Sequence, residues 1–561
     1  MSRTPGESTM AVASADPARR TTANILVERL IAHGIDTLYC LPGVQNDPFF
    51  DALFGESNRL RPIHTRHEQG AAYLALGAAM ATGKPAAYCV VPGPGFLNTT
   101  AALSQAYGNN APVLAICGQV PLAYVNRDTG FLHDIPDQLG IMQRLTKWSA
   151  RIRAPHEALA LTDEAFRQML AGRRRPAALE CPLDVWGKAT TLALPGLPEP
   201  LAAPEPDADA IADAAQALGQ SLRPLIIVGG GALDASSEVT ALAELLEAPV
   251  VAYRMGQGVI DGRHELSLSF PAGHKLWPEA DVVIGIGTRL HSQYTGWGVD
   301  QALKLIRIEI DPEEMVRHGR PTVALLGDAA PVLRRLLAAI PQHNRKRGDF
   351  RDTIARLKAQ TRLAFSKLQP QMAYLEAIRA ELPEDGIFVD EFTQVGYVSR
   401  LAFPVYAPRS YLTLGYQGAL GMGFPTALGA KLARPDVPVV SVNGDGGFMF
   451  NVQELATAVQ FRIPVVSIVF NDNAYGNVRR MQKDLYGGRL IASDLSNPDF
   501  VRLAESFGAV ALRARSPAEL RVALRRGLKE AGPVLIEVPI GETPAPWEFI
   551  QLPRVRPSRH D

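Results

Sequence analysis

Cysteine is scarce in this chain, and its few thiols lie far apart. The four cysteines occur in apolar or strand-like stretches, at Cys40, Cys89, Cys117 and Cys181. None has the close spacing of a zinc site or of a disulfide framework. The pattern therefore indicates buried thiols in a reducing compartment, and it excludes a small secreted fold held together by disulfides.

The sequence also lacks an excess of charge and a long apolar run. Lys and Arg together number 57, as do Asp and Glu, so the formal net charge is +0. This balance argues against a basic surface that binds nucleic acid. No apolar stretch reaches the roughly 20 residues that cross a membrane. Residues 1–19 lack the apolar core of a secretory signal, which predicts a disordered tail on a cytoplasmic protein.

Short apolar runs, glycine-rich turns and helical segments alternate along most of the chain. This alternation predicts the α/β class, with three doubly wound parallel-sheet domains. The length of 561 residues is enough for three domains that each have a core. The predicted boundaries are a tail at 1–19, domains at 20–190, 210–342 and 371–545, linkers at 191–209 and 343–370, and a C-terminal tail at 546–561.

One stretch, residues 438–480, carries the strongest chemical signal. An apolar run ends at a glycine-rich turn, a helix is predicted over 451–461, and a second apolar run ends near Asp472. Both turns fall beyond the carboxyl ends of parallel strands, where such sheets bind ligands. The glycines permit close approach to a phosphate, and Asp445 and Asp472 offer hard oxygens to Mg²⁺. The alternative is a pair of structural turns with Asx caps.

A second signal lies in the first domain, where Glu68 stands just ahead of an alanine-rich helix predicted over 71–82. An acid at this point can serve as a favourable charge at a helix N-terminus. The residues alone leave that interpretation open beside a role for Glu68 as a functional acid.

These motifs together resemble those of a known family. The sequence GDG at 444–446, followed by Asn and Asp at 471–472, is similar to the thiamine diphosphate signature. With RHEQGAA at 66–72, ATGKPA at 81–86 and GPG at 93–95, the chain resembles the acetolactate synthase and benzoylformate decarboxylase group of thiamine diphosphate enzymes. The resemblance implies a pyrimidine-binding, a central and a diphosphate-binding domain, in that order.

The resemblance also implies the cofactors thiamine diphosphate and Mg²⁺. The implied metal ligands are the side chains of Asp445 and Asp472 and the main-chain carbonyl of Ala474. Asp472 replaces the asparagine usual in the family; because a hard oxygen is kept, we expect metal binding to survive. Among relatives FAD often occupies the central domain, but this chain is shorter between Ser267 and Ala280, which argues against FAD.

Three residues are assigned catalytic roles by the resemblance. Glu68 would bind N1′ of the cofactor's aminopyrimidine and favour its imino tautomer. Leu420 would be the bulky residue that keeps the cofactor bent, and Gln119 would face the substrate. The other implied cofactor contacts are Asn98, Thr393, Gln394, Gly418, Gly444, Gly446, Gly447, Tyr475 and Gly476. The alternative for Asn98, Gln119, Thr393 and Gln394 is that they satisfy ordinary turns.

The implied activity is that of a carboligase of acetolactate-synthase type. It would act on a 2-oxo acid donor through a C2-carbanion and an enamine, with a carbonyl acceptor for ligation. An alternative, favoured by Leu420 and by the sequence DEFTQ at 390–394, is a non-ligating 2-oxo acid decarboxylase or a C–C lyase or hydrolase. A further alternative is a catalytically silent cofactor-binding homologue. The family also implies a homodimer or homotetramer whose active sites are shared between subunits.

Overall fold

The computed structural model describes residues 18–348 and 350–557, and its first domain alternates strands with helices. The strands of this domain are β1 (Ala18–Thr21), β2 (Thr37–Cys40), β3 (Arg61–His64), β4 (Ala86–Val90), β5 (Val113–Gln119), β6 (Trp148–Arg151), β7 (Ala177–Pro182) and β8 (Ala189–Leu192). Its helices are α1 (Thr22–Ala32), α2 (Asp47–Phe54), α3 (Glu68–Thr82), α4 (Pro94–Gly108), α5 (Gln138–Leu145), α6 (Pro155–Leu170) and α7 (Leu183–Trp186).

The central domain repeats this alternation. Its strands are β9 (Pro224–Val228), β10 (Val250–Ala252), β11 (Ser267–Leu268), β12 (Val282–Ile286), β13 (Lys304–Glu309) and β14 (Val323–Leu326). Its helices are α8 (Ala208–Gln220), α9 (Ser236–Leu246), α10 (Phe270–Leu276), α11 (Pro312–Val316) and α12 (Ala329–Ala339), and α13 (Arg351–Phe365) leads to the next domain.

The third domain has the same construction. Its strands are β15 (Ile387–Val389), β16 (Tyr411–Leu412), β17 (Val439–Gly444), β18 (Val465–Asn471), β19 (Val510–Arg513) and β20 (Val534–Pro539). Its helices are α14 (Gln371–Glu381), α15 (Gln394–Ala402), α16 (Gly423–Ala433), α17 (Asp445–Phe448), α18 (Glu454–Gln460), α19 (Gly476–Leu485), α20 (Phe500–Phe507), α21 (Pro517–Gly527) and α22 (Trp547–Ile550).

Each domain contains one six-stranded sheet within the described residues, and every strand pair in these sheets is parallel. The orders are β3-β2-β4-β5-β7-β6, β11-β10-β9-β12-β13-β14 and β16-β15-β17-β18-β20-β19. Central strands such as β4 and β5 are buried along their whole length, as expected for a parallel sheet covered by helices on both faces. The predicted fold class is confirmed.

The first and third domains share one hydrophobic core through α3 and α16. These helices cross with their backbones in contact, because a Cβ on Gly77 would overlap the carbonyl of Thr426 and one on Gly429 would overlap that of Leu74. Helix α3 begins at Glu68, three residues before its predicted start, and ends at Gly83 in a left-handed conformation. This crossing fixes the helix that carries Glu68 against the third domain.

The chain termini and connections differ in detail from the predicted boundaries, which stay predictions. Residues 1–17 of the predicted tail lie outside the described residues, whereas Ala18 and Arg19 begin β1 because they pair with β8. The predicted linker at 343–370 contains α13, whose Ile354 and Leu357 join the central core. After α22 the chain returns to the central domain, where Arg556 binds Asp300. Among the described residues, no helix has the length and apolar character to span a membrane.

Candidate active site

Four consecutive residues after β15, residues 391–394, organise the candidate site. Each side chain lies against the backbone of a different glycine. Glu391 is packed on Gly447, Phe392 on Gly418, Thr393 on Gly444 and Gln394 on Gly476. A Cβ on Gly476 would lie 2.8 Å from Gln394 Nε2, so only glycine allows this approach without a shift. One short segment therefore contacts four of the predicted cofactor-binding glycines, which lie in three turns.

The predicted metal ligands meet at the carboxyl ends of β17 and β18, which are adjacent strands. The Asp445 and Asp472 carboxyls are within hydrogen-bonding reach of each other. Burial, followed by the charge of Asp445, raises the pKa of Asp472 to about 7, and burial also raises the pKa of Asp445. Asp445 is buried and Asp472 is half-buried, and two carboxylates that face each other away from bulk water repel unless a cation or a proton lies between them. The pair therefore fits a divalent cation.

A metal at this point would also need a main-chain ligand. The part of the chain that the structure describes holds no group of three His, Cys, Asp or Glu side chains suited to a metal. Ala474, the predicted third ligand, is buried beside the pair, and its N–H donates to Asp472 Oδ1 at 3.3 Å. Tyr475 lies over the turn after Asp445, since a Cβ on Gly446 would be 2.6 Å from its ring.

Sequence reasoning missed Asn497, which supports this pair from a loop 52 residues after Asp445. Its Nδ2 lies 2.6 Å from Asp445 Oδ2 and 3.0 Å from Asn471 Oδ1. The carboxylate of Glu537 in turn accepts a hydrogen bond from Asn471 Nδ2 at 2.9 Å. An asparagine in a loop is common, so its contact with Asp445 has no sequence signal.

The loop that carries Leu420 is held by hydrogen bonds on its C-terminal side. The N–H groups of Gly421 and Gly423 donate to Glu391 at 2.6 and 3.2 Å, and Asn451 Nδ2 donates to the carbonyl of Gly421 at 2.7 Å. Gly418 has a φ of +67°, a left-handed conformation that favours glycine. Leu420 itself is half-buried at the tip of this loop.

The use of Asn451 in this loop explains a wrong boundary. The predicted helix over 451–461 begins only at Glu454, because residues 445–448 form the separate turn α17 and Asn451 bonds outward to the Leu420 loop. A polar side chain with a tertiary partner competes with helix formation in this way.

Glu68 is the first residue of α3, and the structure brings it to Asn98 at the start of α4. Asn98 Nδ2 donates to Glu68 Oε2 at 3.0 Å. The turn before Glu68 is held by Glu454 of the third domain, whose carboxylate accepts the N–H groups of Arg66 and His67 at 3.2 and 3.1 Å. Glu454 is fully buried, and burial raises its pKa. Sequence reasoning missed this acid as well.

Gln119 lies apart from this pair, at the end of β5. It is buried; its Oε1 accepts from the N–H of Val120 at 2.7 Å, and its Nε2 donates to Glu180 at 3.2 Å. Both ends of the amide are therefore satisfied within the first domain. Contact with a substrate would need a different side-chain conformation, and that role stays a prediction.

A cleft of about 790 Å³ lies beside the site and is lined by residues of all three domains, including Tyr416 of the third. The guanidinium of Arg289 lies 4.4 Å from the ring centroid of Tyr416, a residue of the loop that leads to Leu420. Other lining residues include Gly229, Arg254 and Arg409. A cleft of this size has room for a nucleotide. The expectation that FAD is absent stays a prediction.

Comparisons with known proteins give the family. The N-terminal TPP binding domain of thiamine pyrophosphate (thiamine diphosphate) enzymes matches residues 20–141, their central domain matches 211–336, and their C-terminal TPP binding domain matches 393–538. A probable 2-ketoarginine decarboxylase AruI of Pseudomonas aeruginosa is 34% identical over 540 residues, which cover 93% of this chain and 94% of the relative.

Acetolactate synthases are similar to the same extent. A probable large subunit from Methanocaldococcus jannaschii is 34% identical, over 96% of this chain and 93% of the relative. The isozyme 1 large subunit of Escherichia coli is 30% identical, over 93% of this chain and 94% of the relative. The chain therefore belongs to the thiamine diphosphate-dependent enzymes that form or cleave carbon–carbon bonds, and within them it is acetolactate synthase-like.

Proposed function

We propose that this chain is a thiamine diphosphate- and Mg²⁺-dependent carboligase of acetolactate-synthase type, with a 2-oxo acid donor and a carbonyl acceptor. The observation that carries the proposal is the meeting of Asp445, Asp472 and Gln394 at one edge of the third sheet. Similarity to acetolactate synthases along nearly the whole chain supports ligation over other reactions.

The third domain would hold the diphosphate end of the cofactor. Mg²⁺ would bind to Asp445, Asp472 and the carbonyl of Ala474 and would accept diphosphate oxygens as further ligands. The remaining diphosphate contacts would be Thr393, Gln394, Gly444, Gly446, Gly447, Tyr475 and Gly476. The glycines allow the main chain to approach the phosphates, and the N–H groups that begin α17 favour negative charge.

The aminopyrimidine end would be served by two domains. Glu68 would hold a proton between its carboxyl oxygen and ring N1′, while Asn98 orients that carboxyl. Leu420 and the main chain of Gly418 would support the ring from the third domain. Bound thiamine diphosphate supplies a nucleophile for the carbonyl carbon of the 2-oxo acid and a store for the electrons released with carbon dioxide. We further propose that Glu68 and Asp445 serve one cofactor from different subunits of a homodimer or homotetramer.

A non-ligating 2-oxo acid decarboxylase, or a C–C lyase or hydrolase, is the second candidate. It is favoured by Leu420, by the segment that contains Glu391 and by the similarity to a probable 2-ketoarginine decarboxylase. The carboligase and the decarboxylase share the loss of carbon dioxide and differ in whether the remaining carbon then bonds to a second carbonyl or to a proton. A cytoplasmic location stays a prediction.

Product analysis tests the proposal. Purified protein is incubated with thiamine diphosphate, Mg²⁺ and a panel of 2-oxo acids, with and without acceptor aldehydes. A carboligase gives a coupled product that requires the acceptor, whereas release of the aldehyde alone would favour the second candidate. Tight cofactor binding without turnover on any acid would indicate a silent homologue. The same preparation should be colourless, and a stoichiometric flavin absorbance would overturn the expectation that FAD is absent.

A further inference from the structure

Glu391 is a buried acid that pairs with no Lys, Arg or His side chain among the described residues. The side chain is fully buried, and it makes no salt bridge with any residue that the structure describes. The neighbouring acid Asp390 is different, because Arg400 Nε lies 2.6 Å from its carboxylate and the Tyr411 hydroxyl lies 3.2 Å from it. Burial of an unpaired carboxylate is costly unless hydrogen bonds satisfy it. The groups that bind Glu391 therefore indicate what it does.

Among the described residues, the two N–H groups that donate to the Glu391 carboxyl lie just after Leu420, Gly421 in the loop and Gly423 at the start of α16. Oε1 accepts the N–H of Gly421 at 2.6 Å, and Oε2 accepts the N–H of Gly423 at 3.2 Å. Each oxygen of the Glu391 carboxyl thus has one main-chain donor, so the carboxyl bridges residues 421 and 423. The donors are one and three residues after Leu420, so the two hydrogen bonds restrict the positions that the Leu420 side chain can adopt.

The same carboxylate also touches the turn that follows Asp445. Oε1 lies so close to Gly447 that a Cβ at that position would overlap it. Gly447 belongs to α17, which Asp445 begins. Glu391 thus lies between the loop that carries Leu420 and the turn at residues 444–447, which we call the diphosphate turn after its proposed role. A change in the length or charge of the Glu391 side chain would alter the distance between this loop and this turn.

We propose that Glu391 is a positioning residue that fixes the Leu420 loop against the diphosphate turn, and so sets the space in which the aminopyrimidine of the cofactor binds. The inference rests on the proposed cofactor site. It is distinct from a purely structural role, in which Glu391 would stabilise the fold without affecting the cofactor.

Measurements of cofactor affinity and of fold stability distinguish the positioning role of Glu391 from a purely structural role. The dissociation constant of thiamine diphosphate is measured by calorimetry at saturating Mg²⁺ for the wild type and for Glu391→Gln. The amide keeps the shape of the side chain but offers only one acceptor oxygen for two N–H donors. We expect the dissociation constant to rise about ten- to hundredfold. Glu309→Gln is the matched control, since Glu309 is a buried acid of the central domain, and it should leave cofactor affinity unchanged.

A double-mutant cycle tests whether Glu391 acts through Leu420. If it does, Glu391→Gln combined with Leu420→Ala should weaken binding by less than the product of the two single effects. Multiplicative effects, or an unchanged dissociation constant in Glu391→Gln, would overturn the inference. If Glu391→Gln melts well below the control, it is replaced by Glu391→Asp, which keeps the carboxyl group on a shorter side chain. The same measurements are made on Glu391→Asp, and the same results support or overturn the inference. Failure of the wild type to bind thiamine diphosphate would instead refute the proposed function.

Discussion

The first and third domains have the same sheet topology but different chemistry at the sheet edge. Numbered along each domain, strands β2–β7 and β15–β20 both follow the order 2-1-3-4-6-5. In the third domain the carboxyl ends of adjacent strands present two acids and a run of glycines. In the first domain the carboxyl ends of β3 and β4, which lie on either side of β2, lead to Glu68 and Asn98. Topology therefore determines where ligands can bind, and the residues at those strand ends determine what binds.

The two edges also differ in how they are built. The proposed diphosphate edge, the carboxyl ends of β17 and β18 with the turns that follow them, is formed within the third domain, where residues 391–394 contact the three glycine turns predicted to bind the cofactor. The edge that carries Glu68 depends on another domain, because Glu454 holds the turn before it. We therefore expect substitutions of the predicted metal ligands and of the groups that hold them to change cofactor binding, and substitutions around Glu68, including Glu454, to change turnover.

We expect Glu68→Gln to have the largest effect of the substitutions considered, and this effect should be on turnover. The amide cannot accept or return a proton at N1′, so the turnover number should fall by about 10²- to 10⁴-fold. The dissociation constant of thiamine diphosphate should rise much less than the turnover number falls, because the amide can still donate a hydrogen bond to N1′ and the predicted diphosphate contacts are unchanged. Steady-state kinetics and calorimetry measure the two quantities. Glu157→Gln, which alters an acid in the first turn of α6, is the control. An equal loss of affinity and turnover would break the proposed division between the edges.

Asp445→Ala should show the opposite pattern. Loss of one of two carboxylates should weaken Mg²⁺-dependent cofactor binding by about a hundredfold, because the diphosphate charge is then poorly neutralised. Calorimetric titration of thiamine diphosphate at several Mg²⁺ concentrations measures this. Asp436→Ala, which removes an exposed acid of the same domain, should have no effect. Cofactor binding that needs no divalent ion in the wild type would contradict the proposed metal site.

The fold class could be predicted from the sequence, and so could the candidate residues that directly follow the ends of strands. The apolar runs of β17 and β18 and the glycines between them are local patterns, so Asp445 and Asp472 could be found without coordinates. Glu391 and Glu454 could not be found, because their donors are 30 and 388 residues away in the chain. An acid gains this kind of role only when tertiary packing buries it beside main-chain N–H groups.

Glu454→Gln tests the link between the two edges. The amide offers one acceptor oxygen to the N–H groups of Arg66 and His67, so the turn before Glu68 should be less well fixed. We expect turnover to fall about tenfold, with cofactor affinity nearly unchanged. Glu519→Gln is the matched control, since Glu519 accepts a main-chain N–H from Arg515 within its own domain. A loss of cofactor affinity that exceeds the loss of turnover would show that Glu454 serves the diphosphate edge instead.

Asn497→Ala should have the smallest effect and would show how far the diphosphate edge extends. Asn497 donates to Asp445 and Asn471 without being a predicted metal ligand, so its loss should leave the carboxylate in place but less well oriented. Residues that orient metal ligands typically contribute about 10- to 100-fold to metal affinity. Because Asp445 itself is kept, we expect a loss at or below the lower end of that range, about three- to tenfold. Titration with Mn²⁺, followed by electron paramagnetic resonance, measures the change without relying on activity. The control is Asn344→Ala. This change removes an asparagine of the central domain whose side chain donates a hydrogen bond to the carbonyl of Leu245. An unchanged Mn²⁺ affinity in Asn497→Ala would confine the metal site to the three predicted ligands, since the loop that carries Asn497 would then have no influence on Asp445.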